Sequence, residues 1–318
     1  MDADDVAQVA ESLRQALAAD PTRARDSIEQ FGWTELLDDE PKVAVATLFS
    51  LSGELLTTGS MLDEVMLEAV GLGDLGGATR VVLPATGGSR PPGQVDGDGS
   101  VMIEGIVAQG VGPVLLPFLG PEAHPGFAVA EVTPFDGDPL DPTSPWRLVR
   151  ETVRPQQILD SPADAASAWE QMLAAGRRAL AHELVGVSGS MEAMTVDHVR
   201  SREQFGTALG SFQAVKHQLA DVRLWREVAV LSADAAWEDG GAVSASLAKA
   251  AAVRSSRTAR TVCQQLLGGM GFTWEHDFHR YLRRALTIEP LLGNAADLHS
   301  GLGAALRARA VGHDLVSL

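Results

Sequence analysis

The 318 residues predict a mostly α fold with a small β module set between two helical regions. Three observations carry that reading. Helix-period apolar spacing fills residues 1–75, glycine, proline and short β-prone runs crowd 76–155, and proline nearly vanishes over the long amphipathic stretches of 156–318. Hydrophobic residues make up 45% of the chain, enough for a sizeable core, and the length admits one large or two to three modest folding units.

In the first region Val6, Val9, Ala10, Leu13 and Leu17 fall on one helical face, and Asp2, Asp4 and Asp5 suit the positive end of that helix. Apolar periodicity continues through Val43–Leu56 and Met61–Val70, with Pro21, Gly32, Pro41, Gly53, Gly59 and Ser60 as punctuation. In the second region the β-prone runs are Arg80–Leu83, Val101–Val107, Val114–Leu119 and Phe127–Val132. Turn clusters such as Gly87-Gly88-Ser89-Arg90-Pro91-Pro92-Gly93 separate them, which predicts a small antiparallel module too short for a large barrel. In the third, Ser161-Pro162 followed by Asp164 marks a helix start. Helices are expected over Ala163–Arg200, Ser211–Glu238, Ala242–Leu267 and Asn294–Val311, with buried stripes at Leu180, Leu184, Val187, Met191 and at Val215, Leu219, Val222, Trp225. Short connections between them imply an up-down four-helix bundle.

Composition removes several function classes. With 42 acidic against 25 basic side chains and a net charge of −17, the chain is expected to have no nucleic-acid and no membrane partner, since both need an exposed basic patch. The single cysteine, Cys263, excludes an intramolecular disulfide framework and a multi-cysteine metal cage, and its place in an apolar helix reads as a packed thiol. The acidic start Met1-Asp2-Ala3-Asp4-Asp5 is unlike a secretion signal, and no apolar run approaches the roughly 20 residues that span a bilayer. The expectation is a cytoplasmic protein.

Three motifs reduce to ordinary structure. Gly71-Leu72-Gly73-Asp74-Leu75-Gly76 matches GxGxxG, but a helical pattern precedes it and a strand-like run follows, the reverse of what a dinucleotide needs. His276 and His279 lack a third ligand by spacing, so no metal site is expected. Gly186-Val187-Ser188-Gly189-Ser190 lacks the order of a nucleophile elbow.

Two other segments are more informative. One is Arg200-Ser201-Arg202-Glu203-Gln204-Phe205-Gly206, followed by Ser211-Phe212-Gln213-Ala214-Val215-Lys216-His217-Gln218-Leu219-Ala220-Asp221. The other is Gln264-Gln265-Leu266-Leu267-Gly268-Gly269-Met270-Gly271-Phe272, followed by Arg280-Tyr281-Leu282-Arg283-Arg284-Ala285. Taken singly, each reads as a helix end with a turn. A guanidinium beside an aromatic, and a Gly-Gly backbone, also suit a phosphate–adenine group.

Together they resemble the acyl-CoA dehydrogenase family, whose C-terminal domain carries an Arg-x-x-Phe-Gly turn and a Gln-x-Leu-Gly-Gly-x-Gly segment. The resemblance covers about residues 160–318, and Phe31-Gly32-Trp33-Thr34-Glu35-Leu36-Leu37 resembles the family's N-terminal Gly-Trp signature. It implies an N-terminal helical domain over 1–75, a middle β domain over 76–155 and a C-terminal four-helix bundle over 156–318. It also implies FAD as cofactor, an acyl-CoA substrate, and electron-transferring flavoprotein as electron acceptor. In the family the FAD crosses a subunit interface, the β domain of one subunit holding the ring and the bundle of its neighbour the ADP half. Carried over, Arg202 meets the pyrophosphate, Phe205 and Phe212 flank the adenosine, and Gln265, Gly268 and Gly269 approach through polar and backbone contacts.

The departures from the family pattern are equally specific. Its catalytic glutamate occurs at one of two places, and these align with Leu292 and Gly176, the latter followed by Arg177. Neither can accept a proton, so no catalytic residue is assigned. The β region is short and lacks the Gly-x-Gly-Ser-Asp loop and the Trp strand that cover the flavin. Phe272-Thr273-Trp274-Glu275-His276-Asp277 resembles the small subunits of actinobacterial α2β2 acyl-CoA dehydrogenases of steroid breakdown, which suggests a sterol-ring CoA thioester from cholesterol degradation. The implied role is a chain that supplies the ADP half of the FAD site to a larger homologous partner carrying the base. Two alternatives stay open: a non-catalytic structural or regulatory paralogue, and a self-sufficient homotetramer that uses Glu289 as base.

Overall fold

The computed structural model describes residues 1–71, 77–159 and 164–308. Five helices open the chain: α1 Ala3–Ala19, α2 Ala24–Gln30, α3 Trp33–Asp39, α4 Pro41–Leu55 and α5 Leu62–Glu68. The N-terminal aspartates form a reciprocal cap, with Asp2 accepting from the backbone N–H of Asp4 and Asp5 while its own N–H donates to Asp5. Leu13 and Leu17 of the expected stripe are fully buried, whereas Val6, Val9 and Ala10 are only half-buried. Trp33 sits in the core, and its indole N–H donates to Ala44 O at 3.0 Å, which locks α3 onto α4.

The β region has eight strands: β1 Arg80–Val81, β2 Leu83–Pro84, β3 Gly93–Val95, β4 Val101–Ala108, β5 Val114–Leu119, β6 Pro125–Ala130, β7 Trp146–Val153 and β8 Gln157–Ile158. They form one sheet in the order β2-β4-β3-β5-β6-β8, with β1 on β5 and β7 on β4. The sheet is mixed rather than antiparallel as expected, because β1 and β3 both pair parallel to β5. Apolar alternation marks which residues face inward and carries no information on strand direction. Alternate residues of β5 serve different cores: Val114, Leu116 and Phe118 join the sheet's own cluster, and Leu115 joins the main one. β8 lies beyond residue 155 because it pairs with Ala128 and Val129 of β6.

The C-terminal part contains α6 Ala165–Ser201, α7 Gln213–Ala235, α8 Ala242–Leu267, α9 Phe278–Ile288 and α10 Ala295–Arg307. α9 adds a fifth helix to the four expected, although Phe278, Ala285 and Ile288 show its buried spacing in the sequence. The helix start expected at Ser161-Pro162, most of the GxGxxG turn and the end of the expected last helix at Val311 lie outside the described residues. No described helix is long and apolar enough to cross a membrane.

α6 is the central strut, with buried residues around its whole circumference. α4 meets it backbone to backbone. A Cβ on Gly53 would lie 2.1 Å from Glu183 O, and one on Gly186 would lie 2.1 Å from Ser50 O. Arg284 on α9 joins all three regions. Its guanidinium donates to Asp141 Oδ2 at 2.5 Å, Glu183 Oε1 at 2.8 Å, Thr57 O at 2.7 Å and Thr143 Oγ1 at 2.7 Å. Burial would raise the Asp141 carboxyl, but the charge and hydrogen bond of Arg284 outweigh it and hold the group below its usual range. Burial wins at Glu183, which is pushed up.

Candidate functional site

The sequence-predicted binding residues gather at one end of the bundle. α6 stops at Arg202, whose extended backbone leads into a two-residue hairpin between Glu203–Gln204 and Thr207–Ala208. Phe205 and Gly206 form its tip with φ of 56° and 77°, the double positive φ of a tight hairpin turn. Glycine adopts that conformation freely, whereas for phenylalanine it costs about 1–2 kcal/mol. Phe205 is nonetheless 93% exposed, so little packing among the described residues offsets the strain. Its ring meets the half-buried Phe212 edge-on, with centroids 6.3 Å apart. The exposed side chain of Arg202 has no hydrogen bond or ion pair among the described residues, and its peptide anchors the turn by donating to His198 O and accepting from Leu209 N.

The end of α8 lies close by. Cys263 near its last turn packs beside Thr195 of α6, and burial pushes that thiol up to about 11. His276 and Arg202 both press on His198, whose imidazole is lowered first by burial and then by those two charges. Gln265 is exposed. Gly268 closes α8 with φ 59° and ψ −135°, a conformation restricted to glycine. A Cβ on Gly269 would meet nothing within 4 Å, so no neighbour among the described residues requires glycine there. Arg202, Phe205, Phe212, Gln265, Gly268 and Gly269 thus share one end of the bundle, bordered by the exposed side chains of Met270, Phe272 and Trp274. His276 and His279 serve local structure: the first accepts from Phe278 N–H, and the second packs edge-on against Trp274. Among the described residues no group of three His, Cys, Asp or Glu could hold a metal ion.

The two positions aligned with the family base meet each other elsewhere in the molecule. A Cβ on Gly176 would lie 2.4 Å from Leu292 Cδ1 and 3.1 Å from Met66 Sδ, and Leu292 is 1% exposed. The loop that carries Leu292 is held by buried cations. Lys249 Nζ donates to Glu289 O and Leu291 O at 2.9 Å each, and Arg177 Nε donates to Leu292 O at 2.9 Å. Burial pushes the Lys249 amine down to about 7. The β2–β3 connection closes on the same loop, Gly87 donating to Pro290 O at 3.0 Å and accepting from Asn294 N at 3.2 Å. Glu289 is 5% exposed and pairs with Arg257 Nε at 2.5 Å and Arg260 Nη2 at 3.2 Å. The clamp by Lys249 and Arg177 is absent from the sequence-based reading. Its only signal is a lysine inside the otherwise apolar alanine run Ala248–Ala252.

The family model for the acyl-CoA dehydrogenase C-terminal domain matches residues 166–301. Residues 166–301 are an acyl-CoA dehydrogenase C-terminal domain. FadE34 of Mycobacterium tuberculosis, an acyl-CoA dehydrogenase, is 43% identical over 123 residues, covering 36% of this chain and 17% of that protein. The acyl-CoA dehydrogenase IpdE2 of the same organism is 39% identical over 106 residues, covering 33% of each. These aligned stretches span a third or less of the relatives. The whole chain shares its fold with solved acyl-CoA dehydrogenases. The Tcur3481-Tcur3483 steroid ACAD G363A variant matches at TM-score 0.71 and 22% identity over 97% of this chain and 99% of that one. The ChsE4-ChsE5 complex of M. tuberculosis matches at TM-score 0.71 and 18% identity over 96% and 98%. In this domain the six candidate residues lie outside the core, whereas Gly176 and Leu292 lie inside it.

Proposed function

We propose that this chain is the smaller subunit of a heteromeric, FAD-dependent acyl-CoA dehydrogenase, holding the ADP half of the cofactor for a larger homologous partner that carries the base. The observation that carries the reading is the contrast between the two sites: an exposed and unsatisfied end of the bundle, and a sealed position where a base would have to stand. FAD, when bound, supplies the hydride acceptor for α,β-dehydrogenation of the CoA thioester. Arg202 offers a planar fork of donors to the pyrophosphate. Phe205 and Phe212 offer ring faces and edges to the adenosine, and Gln265, Gly268 and Gly269 offer a polar side chain and open backbone. At the other site Leu292 and Gly176 carry no proton acceptor, and two arginines engage Glu289, which leaves its carboxylate poorly placed to serve as a base.

The exposed Phe205, Phe272 and Trp274 support a partner at this end, since a large apolar patch on a soluble chain marks an interface. The steroid ACAD and the ChsE4-ChsE5 complex support a CoA thioester of steroid origin and a heteromeric assembly, whereas the α2β2 stoichiometry, the cytoplasmic location and electron-transferring flavoprotein as acceptor follow from the family resemblance alone. The test is to co-express the chain with a larger homologous subunit and measure FAD per heterodimer. Arg202→Ala is expected to lower FAD affinity at least tenfold while leaving the complex assembled. Unchanged FAD content would favour a purely structural paralogue, and stoichiometric FAD with turnover in the isolated chain would favour the homotetramer.

A further inference from the structure

A half-open cleft of about 380 Å³ lies far along α6 from the end of the bundle that carries Arg202, beside the buried Gly176, where α3, α4 and α5 meet α6 and the α7–α8 turn. Leu37, Val45, Val65, Ala175 and Trp237 give it apolar walls, and Arg178 enters it from α6. The guanidinium lies 4.8 Å over the Trp237 ring and donates from Nη1 to Gly240 O at 2.8 Å. Its Nε is buried without an acceptor, and although the charge of Asp239 acts on it, no carboxylate of the described residues stands within ion-pair distance.

We infer that this cleft is a binding site for an apolar monocarboxylate, its hydrocarbon body against Leu37, Val45 and Val65 and its carboxylate on Arg178. A stacked guanidinium with spare donors in an apolar cleft is the usual receptor for a carboxylate, because the charge-assisted bonds form where water competes least. Burial already pulls Arg178 below its ordinary value, and an anionic partner would relieve that penalty. Asp38 and Glu68 also line the cleft, both exposed. Their charges disfavour a dicarboxylate, which would place its second anion beside them, so the site selects one charge on an apolar body. The ligand is separate from any acyl-CoA held at the dehydrogenase centre.

The test titrates the full-length chain with octanoate, octan-1-ol and octanedioate by calorimetry. Octanoate is expected to bind saturably, with the alcohol and the diacid at least tenfold weaker. Arg178→Gln is expected to lose at least tenfold in octanoate affinity, and Arg178→Lys to recover part of it. Ala69→Phe, which fills the cleft from its exposed rim, is expected to abolish binding and leaves the test open should Arg178→Gln fail to fold. Absence of saturable octanoate binding, equal affinity for the alcohol, or unaltered binding by Ala69→Phe would each overturn the assignment. FAD loading is not expected to change in any of these variants, which separates this test from that of Arg202.

Discussion

Arg284→Met tests how the three regions are held together. The guanidinium is 2% exposed and ion-paired to two buried carboxylates, with two further bonds to Thr57 O and Thr143 Oγ1. Removing it leaves the partners unequal. Asp141 still accepts from the Thr143 N–H at 3.0 Å and hydroxyl at 2.7 Å, but Glu183 retains no hydrogen-bond donor among the described residues. An orphaned buried charge of this kind costs about 3–5 kcal/mol, larger than any packing gained from the methionine. In a chain of this length that corresponds to a melting temperature lower by about 4–8 °C near pH 8. The cost is that of a charge, so it should shrink when the charge is removed. Without Arg284 the Glu183 carboxyl is raised further in the fold, the folded state takes up a proton, and stability is fully present below the ordinary carboxylate range and lost as pH rises. The deficit relative to the parent should therefore be roughly halved at pH 5, and Arg284→Met/Glu183→Gln should recover about 2 kcal/mol at pH 8. Denaturant titrations at both pH values measure this. Equal deficits at pH 5 and pH 8, together with no recovery in the double variant, would refute an electrostatic origin.

Other predictions rest on different contacts. Asp63 is buried and accepts from Val81 N–H at 3.0 Å, and burial pushes its carboxyl up to about 7. Folding therefore takes up a proton, so its contribution is complete below about pH 4 and is lost as pH rises through 7; Asp63→Asn keeps an acceptor and should flatten that slope in urea titrations, adding on the order of 3 kcal/mol at pH 8. Gly53→Ala sets helix propensity, worth about 1 kcal/mol in favour of alanine, against a Cβ only 2.1 Å from Glu183 O. No rotamer relieves a clash with backbone, so a net loss of about 2 kcal/mol is expected in thermal unfolding, and an unchanged or higher midpoint would contradict the close approach of α4 and α6. Leu292→Ala should cost about 2–4 kcal/mol by opening a cavity over Gly176, measured in the same way.

The layered helical–β–helical order was legible in the chain because periodicity changes abruptly near residues 76 and 160. Helix α8 matches its expected span of Ala242–Leu267 because an alanine-rich run ends in glycines that cannot continue it. The six candidate binding residues were legible as two motifs about 60 residues apart. Their nearness was not, because it depends on α6 and α8 ending at the same end of the bundle. Sheet direction was equally hidden: β1 and β3 read like any other apolar run, yet both lie parallel to β5.

By itself the sequence determined the long helices α1, α4, α6, α7 and α8 and set two motifs at the ends of α6 and α8; that leucine and glycine take the base positions is what the family resemblance implies. Only the tertiary structure decided that Leu292 and Gly176 fill one another's space, that Lys249 and Arg177 hold the loop that carries Leu292, and that Arg178 enters a largely apolar cleft without an ion pair. The reason is physical. Local periodicity and turn chemistry act over a few residues and leave a pattern in the chain, whereas burial, desolvation and the meeting of charges depend on distances that exist only after distant segments have packed.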